Sequence, residues 1–123
     1  MPTIVHFNVD TDDLERAKKF YEALFDWRMK HPPGMADYYL IETTDLEDKR
    51  GVLGGLRKRG EPNQKITSYL GVDSIDEYSS KVEKLGGKVI QPKKTVPGWG
   101  YFTICIDTEN NMFGLWQDDK GAK

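Results

Sequence analysis

Cysteine occurs once in these 123 residues, at Cys105, and histidine only twice, at His6 and His31. A single thiol excludes an intramolecular disulfide and any paired-cysteine metal motif, and it fits a reducing compartment, so the cytoplasm is the expected location. No apolar run approaches the roughly 20 residues that span a bilayer, and the first residues lack the charged-then-apolar layout of a signal peptide. No membrane association is expected. Neither sign of charge dominates: 18 Lys and Arg stand against 20 Asp and Glu, a formal net charge of −2. That balance carries no electrostatic footprint of a nucleic-acid partner, and the basic run Arg57-Lys58-Arg59 reads as a solvated loop. Glycine-rich phosphate loops and nucleophile elbows are also missing.

What is present is enough for one core, with 37% hydrophobic and 31% charged residues. The chain reads as a single domain over residues 1–123 built from an internal repeat. Leu14, Ala17, Tyr21 and Leu24 follow the spacing of one helix face, and Ile75, Tyr78, Val82 and Leu85 repeat it 61 residues later. Asp12 ahead of Glu15, and Ser74 ahead of Glu77, supply side-chain oxygens for the orphan N–H groups at the two helix starts. Gly86-Gly87 suits a left-handed stop to the second helix.

Alternating segments precede both helices, Val5 to Val9 and Ile66 to Leu70, and their period of two predicts half-buried strands. Three short strands follow each helix: about Trp27–His31, Tyr38–Thr43 and Val52–Arg57, then Lys88–Gln91, Tyr101–Ile106 and Met112–Gln117. The order is βαβββ twice, in units of about 3–58 and 65–118, with a linker around Arg59 to Lys65 that includes Pro62 and a frayed tail after Asp118. The expected class is α+β: two curved mixed sheets around a central cavity, each backed by a helix.

Three stretches carry a family resemblance. His6-Phe7-Asn8-Val9 with Asp13-Leu14-Glu15-Arg16-Ala17 and Phe20-Tyr21-Glu22 form the opening, and Leu85-Gly86-Gly87-Lys88-Val89 lies between. The ending is Asp107-Thr108-Glu109-Asn110-Asn111-Met112-Phe113-Gly114-Leu115-Trp116. Together they resemble the glyoxalase, bleomycin-resistance and dioxygenase superfamily, the vicinal oxygen chelate fold, over nearly the whole chain. The resemblance implies metal ligands at four equivalent strand positions, which fall here on His6, about Gly55, Thr67 and Gly114. Only His6 is a strong donor for a divalent metal, so no metal and no other cofactor is expected. Thr108 and Asn110 replace the family's proline and glycine before the last strand, a change that keeps a turn because asparagine tolerates left-handed backbone. Likeness to related scaffolds also makes a homodimer the possible assembly.

Alternation places His6, Asn8, Thr67 and Tyr69 on the faces away from the helices, and Val5 and Phe7 toward them. Aligning Tyr38 with Tyr101 adds Tyr38, Tyr101, Met112 and Trp116 to the cavity side and sends Ile104 and Ile106 toward the helix. The expected ligand-binding set is therefore His6, Asn8, Tyr38, Tyr69, Tyr101, Met112 and Trp116, aromatic bodies with polar tips that suit a small, partly apolar organic molecule. His6 and Glu42 are the catalytic candidates, since Glu42 shares the inward parity and the two could form an acid-base pair. The leading reading is a metal-independent small-molecule binder. The alternative is a metal-dependent or His-assisted lyase, isomerase or dioxygenase. Cys105, with no base or cation nearby in sequence, reads as inert packing.

Overall fold

A computed structural model describes residues 2–60 and 64–123. The elements are β1 (Ile4–Thr11), α1 (Leu14–Phe25), β2 (Arg28–Lys30), β3 (Tyr38–Glu42), β4 (Leu53–Lys58), β5 (Ile66–Gly71), α2 (Ile75–Lys84), β6 (Lys88–Val96), β7 (Gly100–Ile106) and β8 (Met112–Asp118). The class is α+β, in the repeated βαβββ order. Two compact units emerge, His6–Thr67 and a second that joins the residues up to Val5 to Ser68–Lys123. Pro62, in the expected linker, lies outside the described residues.

In the His6–Thr67 unit the strands run β2-β3-β4-β1, with β1 parallel to β4 and the other pairs antiparallel. Val9, Tyr39, Ile41 and Leu56 form the buried core, against which Phe7 and the α1 residues Leu14, Ala17 and Tyr21 pack. Burying this one sheet face is what holds α1, because the helix has no fully buried residue of its own. Its stripe is shorter than expected: Leu24, the last apolar position, is 57% exposed. The cap also differs by one residue. Asp13, not Asp12, has extended backbone and accepts from Arg16 N at 3.0 Å, while Asp12 turns outward to Arg59.

The second unit repeats the plan, with strand order β5-β8-β7-β6 and β5 parallel to β8. Ile75, Cys105 and Leu115 are its buried core, packed by Tyr78, Val82, Tyr101 and Phe113. Ser74 caps α2 by accepting from Glu77 N at 3.1 Å, and Gly86 follows the helix at φ +98°, as a left-handed exit requires. Matching hairpin loops recur in the two units. Asp45 Oδ1 accepts from Glu47 N and Lys49 N before a left-handed Asp48, and Asp107 Oδ1 accepts from Glu109 N and Asn111 N around a left-handed Asn110.

Three expectations need correction. Strand β6 is twice as long as its periodicity suggested and contains Pro92, which an edge strand with two register irregularities accommodates. The residues after Asp118 are not frayed: Asp119 N donates to Trp99 O, Gly98 N donates to Ala122 O, and Ala122 is buried. Finally, β4 runs through Arg57, its expected end, to Lys58, so the basic run is a strand end and not a solvated loop.

A glycine lies under an aromatic ring in each unit. A methyl group built on Gly114 would fall within the Tyr69 ring, and one on Gly55 would meet the Tyr38 hydroxyl and Asn8 Oδ1. Tyr69 is only 4% exposed and cannot swing into solvent without uncovering its core contacts. Gly114→Ala is therefore expected to destabilise the chain by about 1–3 kcal/mol, the usual cost of overpacking, read as a lower urea midpoint with an unchanged m-value. An unchanged midpoint would show that the ring moves freely.

Candidate functional site

The polar constellation of the His6–Thr67 unit is built by alternation on three strands. Phe7 and Val9 turn to the α1 side of β1, so His6, Asn8 and Asp10 form a column on the opposite face. Cross-strand register sets Asn8 beside Gly55 and Asp10 beside Arg57 on β4, and Tyr38 of β3 lies opposite Arg57. With no side chain at Gly55, the Tyr38 hydroxyl reaches across β4 to the column. His6 Nε2 and Asn8 Oδ1 are 2.9 Å apart, and the Tyr38 hydroxyl lies 3.3 Å from the same nitrogen and 3.4 Å from the same oxygen. Both His6 Nε2–H and Tyr38 O–H can donate to Asn8 Oδ1, which assigns the proton of the neutral ring to Nε2.

Burial pushes the His6 pKa below its ordinary value, with the Asn8 hydrogen bond opposing that shift. A neutral imidazole at physiological pH can hydrogen-bond a ligand or accept a proton from one. Asn8, 8% exposed, fixes the ring's orientation.

The expected His6/Glu42 pair does not form. Strand β4 lies between the strands that carry the two residues, and Glu42 pairs with Lys30 Nζ at 3.0 Å, which holds its carboxyl below the usual range. Tyr101 is also misplaced by the sequence reading. It shares a face with Cys105, and both belong to the cluster packed under α2; its hydroxyl donates to Asp119 at 3.1 Å and Lys93 lies over its ring. The strand register explains the slip. Phe102 pairs with Trp116 and Ile104 with Gly114, as Tyr38 pairs with Arg57 and Leu40 with Gly55, so Tyr38 corresponds to Phe102. Ile104 and Ile106 consequently face away from α2, along with Met112, Trp116 and Tyr69. Tyr69 meets Phe102 edge-on at 6.3 Å, and Trp116 Nε1 donates to Asp118 at 2.6 Å. The Cys105 thiol, fully buried, is pushed up to about 11 first by burial and then by Glu83, which leaves it inert at neutral pH.

Two polar residues of the column escaped the sequence reading, Asp10 and Arg57. Ending β1 at Val9 cut off a signal that was there: His6, Asn8 and Asp10 are polar at period two. Arg59 is engaged elsewhere, with Asp12 at 2.8 Å, the Asp10 carbonyl at 3.1 Å and the Gln64 carbonyl. A shallow cleft of about 400 Å³ nearby is lined by Asp12, Arg16, Phe20, Tyr21 and Arg59 and includes neither His6 nor Tyr38.

The four positions at which the resemblance implies metal ligands do not fit a metal. The space a ligand side chain would take at Gly55 holds the Tyr38 hydroxyl, and the space at Gly114 holds the Tyr69 ring. Among the described residues, no group of three His, Cys, Asp or Glu lies together as a metal site.

The paired βαβββ units define the class of protein. In fold the chain is similar to solved members of the glyoxalase/bleomycin resistance protein/dioxygenase superfamily. Residues 3–44 match the family described as bleomycin resistance protein-like N-terminal. The chain is similar to a protein of Mycobacterium tuberculosis named "Putative glyoxylase CFP32", 28% identical over 116 residues that cover 92% of this chain and 44% of that protein. It is also similar to the anthracycline biosynthesis protein DnrV of Streptomyces peucetius, 26% identical over 128 residues, 90% of this chain and 45% of that one. It thus spans less than half the length of these curated relatives. Among solved structures, a methylmalonyl-CoA epimerase in complex with methylmalonyl-CoA superposes with a TM-score of 0.69 at 13% identity, covering 100% of this chain and 99% of that one. A superfamily member from Vibrio splendidus gives 0.67 at 14%, covering 96% and 100%. At these identities the structural likeness is one of fold.

The lowered His6 pKa has a definite consequence for stability. The unfolded chain, with its histidine near 6.5, takes up a proton first as pH falls, so the stability linked to His6 is full above that value and is lost as pH drops from it toward the folded pKa. An NMR titration of the His6 ring should give a midpoint below 6.5, and Asn8→Ala should move it lower still, because the Asn8 bond favours the charged form. A midpoint above 6.5 would contradict the burial described.

Proposed function

We propose that this chain binds a small, partly aromatic or apolar organic molecule on the sheet face that carries His6, Asn8 and Tyr38, through hydrogen bonds and without a metal. The observation that carries the reading is the half-buried His6–Asn8–Tyr38 network laid over Gly55. Its members are held by one another, so the imidazole and the phenol ring are oriented before a ligand arrives, which lowers the ordering cost of binding. The relatives' names support an organic ligand in general terms: one refers to anthracycline biosynthesis, and a structural neighbour holds a CoA thioester.

A His-assisted proton transfer is the second reading, and the neutral His6 ring is what favours it. Binding without turnover separates the two.

Thermal-shift screening of chelator-treated protein against aromatic compounds, an anthracyclinone and a CoA thioester among them, tests the proposal. A compound that raises Tm should do so without added metal, and His6→Ala or Tyr38→Phe should each weaken it by roughly 3- to 10-fold, the worth of one or two hydrogen bonds. Binding that appears only with a divalent cation, or that ignores both substitutions, would defeat it.

A further inference from the structure

The residues on the proposed binding face do not all find partners within the protein, and the mismatch is specific. Arg57 lies two positions beyond Gly55 on β4, flanked by Asp10 on β1 and Tyr38 on β3. Its Nε is 3.5 Å from Asp10 Oδ1, with 32% of the arginine side chain exposed and 3% of the aspartate. Arginine–carboxylate pairs frequently close with two parallel N–H···O bonds. Here the pair stays open. Among the described residues the buried Asp10 Oδ2 has no hydrogen-bond partner, and the contact from Arg57 runs through Nε, with Nη2 lying beside Gly60. Arg59, by contrast, is consumed by Asp12 and two backbone carbonyls.

Resting on the binding face assigned above, we propose that Arg57 selects the charge of the ligand: its outer Nη edge takes the carboxylate of a small aromatic acid, and Asp10 is the positioning residue that aims it. Asp10 engages the Nε side of the guanidinium and so leaves the planar edge with two parallel donors, a geometry that matches a carboxylate. A cationic ligand is disfavoured, since the one carboxylate of the column is almost wholly covered and cannot be reached from solvent. His6, neutral on the same face, does not compete as a cation, and the Tyr38 ring lies opposite Arg57 as an aromatic neighbour for the ligand.

Benzoate and benzamide test this, because they share a ring and differ in the charge of the head group. Their affinities are measured by NMR through the His6 and Tyr38 ring signals. Wild type should hold benzoate roughly tenfold more tightly than benzamide. Arg57→Met should abolish the difference, and Arg57→Lys, which keeps the charge but not the fork, should restore only part of it. Asp10→Asn is the decisive variant. It raises the net positive charge of the face, so a plain field effect would strengthen benzoate binding, whereas loss of aim should weaken it several-fold with benzamide unchanged; Asp10→Glu serves as the control for folding and rescue. Equal affinity for the two probes, or tighter benzoate binding in Asp10→Asn, overturns the assignment while leaving the binding face intact. If neither probe moves the His6 and Tyr38 signals, the binding face falls with it.

Discussion

Strand pairing puts a residue without a side chain beneath an aromatic one in each unit, and much of the local architecture depends on that approach. Gly55 lets the Tyr38 hydroxyl cross a whole strand to reach His6 and Asn8, and Gly114 lets the Tyr69 ring lie directly on β8. A Cβ at either position would push the ring off the sheet. The adjacent Gly54 does the same for the Phe7 ring on the other face, so the middle of β4 is thin on both sides. Close approach on the α1 side seats Phe7 against Trp27, with ring centroids 5.8 Å apart, and close approach on the opposite side assembles the polar network. One short stretch of strand thus serves packing and chemistry together.

The same geometry accounts for how this chain departs from the donor set its superfamily resemblance implies. A metal site needs three or four good donors aimed at one point. Here the room such donors would need at Gly55 and Gly114 is filled by tyrosine, and the surviving histidine is tied to an amide and a phenol instead. A hydrogen-bonded histidine of this kind keeps its ring orientation without a cation, and burial keeps it neutral.

Period and repeat were legible from residues alone wherever one face of an element is buried. The helix stripes, the Ser74 cap and the inward side of β1 follow from spacing, and the Asn110 turn from the family resemblance. Reading failed where spacing is degenerate. In β7 every residue from Tyr101 to Ile106 is apolar or threonine, so alternation carries no phase, and only hydrogen-bond register against β8 shows that Tyr101 belongs with Cys105 under α2. Asp12 and Asp13 are equivalent as caps in sequence, and the choice was made by Arg59, which draws Asp12 outward. The C-terminal segment is likewise held by a contact that no local pattern announces, the Trp99 carbonyl accepting from Asp119 N.

The basic triplet shows the physical content of these misses. Arg57-Lys58-Arg59 has the composition of a solvated loop, yet consecutive residues on a strand point to opposite faces and meet different partners. Arg57 turns to Asp10, Lys58 leaves with the strand end, and Arg59 turns to Asp12. What decides burial here is the acidic complement on β1 and just beyond it, about 47 positions earlier in the chain. Desolvation raises the Asp10 pKa while the two arginines lower it, so the carboxyl is held by a balance of burial against charge and not by either alone. An isolated buried aspartate would be costly at this position, and an isolated arginine would stay in solvent; each residue makes the other's placement possible. Because the pair closes on one side only, the placement leaves a directional donor edge on the face that also carries His6 and Tyr38, and that edge, more than net charge, gives the face its polarity.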